Sequence, residues 1–140
     1  MERKASAVWQ GSLKDGKGTI STDSGVLSQT QYSFSTRFEN GKGTNPEELL
    51  AAAHAGCFAM ALSHELSNAG MPPTKLDVTA TITLDKAADG FSITKSHLDL
   101  TAEIPGADKS KFDAAVKTAE KGCPVSKLFK AETTVTASLK

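Results

Sequence analysis

An α+β fold, with a mostly antiparallel sheet laid against a buried helix, is predicted by three features of this chain. Two long stretches, 76–84 and 91–104, alternate apolar and polar residues as half-buried strands do. Ala88-Asp89-Gly90 lies between them and suits a hairpin turn. The segment 51–62 reads Ala-Ala-Ala-His-Ala-Gly-Cys-Phe-Ala-Met-Ala-Leu, and only His54 in it is polar. A helix apolar on all sides belongs in an interior.

The elements follow in order. Ser6 to Gln10, Gly18 to Thr22 and Gln31 to Phe38 carry alternation bounded by turn residues and are expected to be strands. On the third, Tyr32, Phe34, Thr36 and Phe38 would share one face, with Ser33, Ser35 and Arg37 on the other. The loop 39–44 leads to a helix start. Asn45 can cap, Pro46 suits the first helical position, and Glu47 and Glu48 favour the positive end of the dipole. This helix is expected to run to about Asn68 and stop at Gly70, ahead of Pro72-Pro73. The hairpin comes next, its second strand interrupted near Ser96. Asp108 then caps a helix with Phe112, Ala115, Val116 and Ala119 on one face, and Gly122 ends it. Cys123-Pro124 opens a short helix, and Glu132 to Leu139 is a final strand. No linker or internal repeat interrupts residues 1–140, which read as a single domain.

Composition excludes several functions. Sixteen Lys and Arg balance sixteen Asp and Glu, so there is no clustered positive charge to expect a nucleic-acid partner or an acidic membrane. Six Phe, one Tyr and one Trp are too few for a base-stacking platform. No run is read as long and apolar enough to span a bilayer, and the first residues lack a signal-peptide core, so a cytoplasmic location is expected. In a reducing compartment a permanent structural disulfide between the two cysteines is not expected, and a transient catalytic one can form. With no Cys-x-x-Cys and three scattered histidines, no metal site or cofactor is expected.

The two cysteines stand in different surroundings. Cys57 lies mid-helix among apolar residues. It reads either as a small hydrophobe or as a nucleophile, and the second role needs a nearby cation, because apolar burial raises a thiol pKa. The chain has two arginines, Arg3 near a mobile terminus and Arg37 just ahead of the helix. Arg37 is a solvated residue or the permanent charge that a thiolate needs; its fork of donors can hold a thiolate and a carboxylate together. Glu48 is explained by capping, so Glu47 is the candidate carboxylate. Cys123, before Pro124 at a helix start, reads as a simple cap or as an accessible thiol near free N–H groups. His54 reads as a hydrogen-bonded core residue.

As a set, these residues resemble a known family. Asn45-Pro46-Glu47-Glu48-Leu49-Leu50, followed by Ala-Ala-Ala-His-Ala-Gly-Cys57-Phe58, is similar to the central motif of the OsmC/Ohr family of osmotically inducible and organic-hydroperoxide-resistance proteins. Gly122-Cys123-Pro124-Val125-Ser126 is similar to its second cysteine motif. The likeness covers nearly the whole chain, and Ser35-Thr36-Arg37-Phe38 matches the OsmC branch, since the Ohr arginine lies nearer the N-terminus. The resemblance implies an OsmC-like intertwined homodimer with sheets around central helices. It also implies a peroxidase in which Cys57 attacks an organic hydroperoxide, Cys123 resolves the product, and Arg37 with Glu47 activates the thiolate. A dithiol such as dihydrolipoamide or a lipoylated protein would be the reductant.

The apolar residues around Cys57, with nearby Phe58 and Met60, suggest preference for an alkyl or aryl peroxide over hydrogen peroxide. Two other classes of function fit the same residues. A non-catalytic protein could bind a lipophilic ligand in an apolar pocket, its cysteines incidental. A redox sensor could form the same disulfide and signal through a partner.

Overall fold

The computed structural model describes residues 1–140. They fall into two compact units, Met1–Leu49 and Leu50–Lys140.

The first unit is built on a three-stranded antiparallel meander, β1 (Ala5–Gln10), β2 (Lys17–Thr22) and β3 (Thr30–Tyr32), in that order. Gly18 pairs with Trp9 on one side and Tyr32 on the other. Those rings meet with centroids 5.4 Å apart. A Cβ at Gly18 would fall 2.3 Å from the Tyr32 ring, so only glycine lets the pair close over the strand.

The third strand is shorter than its alternation predicts. It stops at Tyr32, and α1 (Phe34–Phe38) follows. The reason is a reciprocal cap. Ser33 Oγ accepts from the Thr36 amide at 3.3 Å, and Thr36 Oγ1 accepts from the Ser33 amide at 2.8 Å. Threonine takes the place where glutamate is the usual signal. Arg37 therefore sits in the last turn of a short helix, not on a strand.

The long helix α2 (Pro46–Asn68) begins and ends where its caps predict. Asn45 Oδ1 accepts from the Glu48 amide at 2.8 Å, and Asn45 Nδ2 donates to the Thr36 carbonyl at 3.0 Å. Gly70 follows with φ of 76°. Within its own chain α2 buries one stripe, His54, Phe58, Leu62 and Leu66, at four-residue spacing. Met60, on another side, is 78% exposed. The apolar composition thus covers more of the surface than one chain encloses. By length and apolar content alone α2 could also cross a bilayer, against the sequence expectation. The strongly apolar stretch and the flanking charges sit on one 23-residue helix, long enough to meet that test.

The second unit packs the body of α2 against a sheet in the order β4–β5–β6 and against α3 (Lys109–Gly122). Strands β4 (Lys75–Ala87) and β5 (Gly90–Glu103) form the expected hairpin, with Gly90 at φ 123°. β6 (Glu132–Leu139) runs parallel to β5, reached through α3 and α4 (Pro124–Leu128). Ser96, Leu98, Leu100 and Ala102 point inward from β5. Phe112, Ala115, Val116 and Ala119 meet them from α3, as their spacing predicts. The irregularity in β5 is displaced from its expected place. Thr83 pairs with Lys95 and Leu84 with Ile93, which leaves Thr94 as the extra residue of a bulge. Ser96 keeps regular pairing and is a polar residue turned into the core.

Candidate active site

Two groups of candidate residues are assembled, one in each unit. In the first, Arg37 and Glu47 form a two-pronged ion pair. Arg37 Nη2 donates to Glu47 Oε1 at 2.7 Å, and Nε reaches Oε1 at 3.1 Å and Oε2 at 3.3 Å. The Glu47 side chain is 13% exposed and that of Arg37 39%. The guanidinium also lies 5.2 Å from the centre of the Phe38 ring. A carboxylate that fixes the plane of a guanidinium leaves its remaining donors aimed and charged. The sequence expectation that Glu47 orients Arg37 therefore has a geometry behind it. Beside this pair is an open cleft of about 260 Å³, lined by Trp9, Tyr32, Phe34, Phe38, Pro46 and Arg37. Its lining is mostly apolar, Ser33 is a further polar residue in it, and Arg37 is its one cation.

In the second unit the two cysteines come together. Both are free thiols. The Cys123 thiol hydrogen-bonds to Cys57 with the sulfurs 2.7 Å apart. Their exposure is the reverse of the expectation: Cys123 is fully buried and Cys57 is half-buried. The turn at Cys123-Pro124 folds inward, because Val125 and Cys123 both pack on the core of α2, β5 and α3. The free N–H of the short helix also serves the other cysteine. Val125 N–H bonds toward Cys57 and lowers its pKa, but burial and the Cys123 thiol push it up more strongly. Within its own unit the Cys57 thiol is held above its ordinary value, so a reactive thiolate requires a cation from elsewhere.

His54 is fully buried one turn before Cys57. Its Nδ1 lies 2.6 Å from Ser96 Oγ and its Nε2 2.8 Å from Ser126 Oγ, and its ring packs edge-on against Phe129 at 5.1 Å. Burial lowers its pKa, which keeps the ring neutral. The expected role of hydrogen-bonded core residue is what the structure shows. Ser96 and Ser126 were not singled out for a role from sequence. The one signal for Ser96 was a polar residue at an inward position of an alternating strand. For Ser126 it was its place in the motif after Cys123. Phe58 and Met60, expected near the substrate, part company in the structure. Phe58 is at the centre of the core and Met60 faces outward, since the two positions fall on opposite sides of α2.

Comparison with known proteins shows the family. The sequence profile of OsmC-like proteins matches residues 39–138. The chain is 54% identical to peroxiredoxin OsmC of Escherichia coli over 140 residues, which is all of this chain and 98% of that one. It is 30% identical to the organic hydroperoxide resistance protein OhrB of Bacillus subtilis over 124 residues, covering 88% and 89% of the two chains. The crystal structure of an organic hydroperoxide resistance protein from Legionella pneumophila superposes with a TM-score of 0.68 at 26% identity, covering 98% of this chain and 96% of that one. The profile match over residues 39–138 and a full-length match of this strength place the chain in the OsmC-like family, on its OsmC branch.

Proposed function

We propose that this protein is a cysteine-based peroxidase that reduces organic hydroperoxides to alcohols, with Cys57 as nucleophile and Cys123 as resolving thiol. The observation that carries the reading is the 2.7 Å approach of two free thiols that differ in exposure. The half-buried sulfur can meet a substrate, and the fully buried one waits behind it. Cys57 thiolate attacks the outer peroxide oxygen, the O–O bond breaks, and the alkoxide takes a proton and leaves as alcohol. Cys57 is left as a sulfenic acid. Cys123 then forms the S–S bond as the S–O bond breaks and water leaves, and an external dithiol restores both thiols.

Arg37, oriented by Glu47, supplies the charge that the Cys57 environment lacks and steadies the negative charge developing on the peroxide oxygens. The aromatic cleft beside Arg37 supports an alkyl or aryl substituent on the peroxide. Dihydrolipoamide or a lipoylated protein fits the reductant role. A homodimer would cover the faces of α2 that one chain leaves open, and the cytoplasm would keep both thiols reduced. The two units would work as one peroxidase domain. A lipophilic-ligand carrier or a redox sensor leaves the paired thiols or the catalytic geometry unused.

The test is multiple-turnover consumption of cumene, tert-butyl and hydrogen peroxide with dihydrolipoamide. Sustained turnover with a higher specificity constant for the organic peroxides is expected. A single stoichiometric oxidation with no turnover would favour the sensor, and no oxidation at all the carrier.

A further inference from the structure

Three residues of one α4 turn address α2. The Cys123 thiol meets Cys57, the Val125 N–H points to the same sulfur, and Ser126 Oγ meets His54 Nε2 at 2.8 Å. His54 and Cys57 are three residues apart on α2, and Cys123 and Ser126 are three apart across the start of α4, where Lys127 N–H donates to the Cys123 carbonyl at 3.1 Å. The sulfur pair and the His54–Ser126 pair are thus two rungs between the same two elements.

The second rung matters because α4 is a small element, held otherwise by Val125 and Cys123 on the core. It is five residues long, starts on a proline, buries none of its residues fully, and has no side-chain cap. Cys123 and Val125 hold one side of this turn, and the His54–Ser126 bond holds the next residue and so limits its rotation. The ring that makes the second rung is itself fixed, since Ser96 of β5 holds its other nitrogen at 2.6 Å and Phe129 packs on its edge. Ser96 and His54 are both fully buried. A buried polar network this complete is rigid.

We propose that His54 is a positioning residue for disulfide formation: through Ser126 it holds Cys123 in register with Cys57, and so decides whether a Cys57 sulfenic acid is captured by Cys123 or by a second peroxide. This rests on the peroxidase reading above. Capture by Cys123 gives the disulfide and water. Capture by a second hydroperoxide moves one oxygen to Cys57, giving a sulfinic acid and an alcohol. Anything that loosens α4 slows the first and leaves the second untouched.

The experiment uses Ser126→Ala, which removes one hydroxyl from a half-buried position, beside Ser126→Thr, which keeps it. Two quantities are read on the folded, full-length protein. One is the ratio of sulfinate to disulfide at Cys57 after a peroxide pulse, by intact mass. The other is the equilibrium of the Cys57–Cys123 pair with reduced and oxidised glutathione, which gives the effective concentration of one thiol at the other without any peroxide. Ser126→Ala should raise the ratio and lower the effective concentration by about tenfold each, the scale of one well-placed hydrogen bond, and Ser126→Thr should restore both to within about twofold. A wild-type effective concentration in Ser126→Ala overturns the proposal, even if its melting temperature falls, and so does a threonine variant as poor as the alanine. A wild-type protein that does not react with peroxide at all would remove the peroxidase reading, while the glutathione equilibrium would still test the positioning role.

Discussion

Cys123 Sγ lies 2.7 Å from Cys57 Sγ, yet one thiol is sealed in the core and the other is half open. On the peroxidase reading, that asymmetry fits Cys57 reacting first and Cys123 second. Cys57→Ser should abolish peroxide reduction. Cys123→Ser should allow one rapid turnover and then drive Cys57 to the sulfinic acid, seen as a gain of two oxygens by mass spectrometry. A Cys123→Ser protein that cycles normally with a dithiol would remove the resolving role.

Arg37 is the second lever. Burial and the neighbouring thiol push Cys57 up, and only the Val125 N–H acts the other way within that unit. Arg37→Met should raise the Cys57 pKa further and slow its first reaction with peroxide by roughly 100-fold, the scale for removing one charge-stabilising donor. Arg37→Lys should also be damaging, because an ammonium cannot reproduce the two-pronged contact with Glu47 while reaching a thiolate. A thiolate absorbance titration giving the same midpoint for wild type and Arg37→Met would end the electrostatic role.

Most of this site was legible in the chain, for physical reasons that differ by residue. Asn45, Pro46 and Gly70 act through local backbone chemistry, so the ends of α2 needed no tertiary information. Phe112, Ala115, Val116 and Ala119 were legible through helical spacing alone. The strand expected through Phe38 failed because Thr36 stood in for the usual capping glutamate, and alternation over 31–38 carried no sign of that bond. The exposure of the two cysteines was reversed because it depends on how α4 docks, which is a long-range fact. Ser96 read as a break in a strand when it was the inward partner of a buried histidine.

His54 gives a pH prediction. Burial holds its pKa below the ordinary imidazole value of about 6.5. From about 6.5 downward the unfolded chain binds a proton that the folded chain refuses. The stability due to the neutral ring is therefore complete above that value and is lost as pH falls through the window toward the folded pKa. The melting temperature should drop as pH falls below about 6.5, and His54→Gln should remove that part of the slope while lowering the plateau. An unchanged slope in His54→Gln would place the acid sensitivity elsewhere.

The last prediction concerns where the Glu47 that serves a given Cys57 comes from. Both residues lie on α2, ten positions apart. At ~1.5 Å per residue that is roughly 15 Å of axis. Ten steps of ~100° do not return to the same face, so the side chains also diverge. A continuous helix therefore does not bring its own Glu47 to its own Cys57. A second copy of the chain can, and the apolar faces of α2 left open in one chain, with Met60 78% exposed, give that copy something to cover. If the protein is a monomer at working concentration, the idea fails before any mixing. If it is a dimer, mixed dimers carrying Cys57→Ser in one chain and Glu47→Ala in the other can be purified through two different tags. Each parent homodimer is first shown to be inactive. Should the glutamate act across the interface, one of the two sites keeps both wild-type groups, and about half of the wild-type activity returns. Should it act within its own chain, the intact Cys57 is always paired with the Glu47→Ala change, and the mixed dimer stays as inactive as its parents.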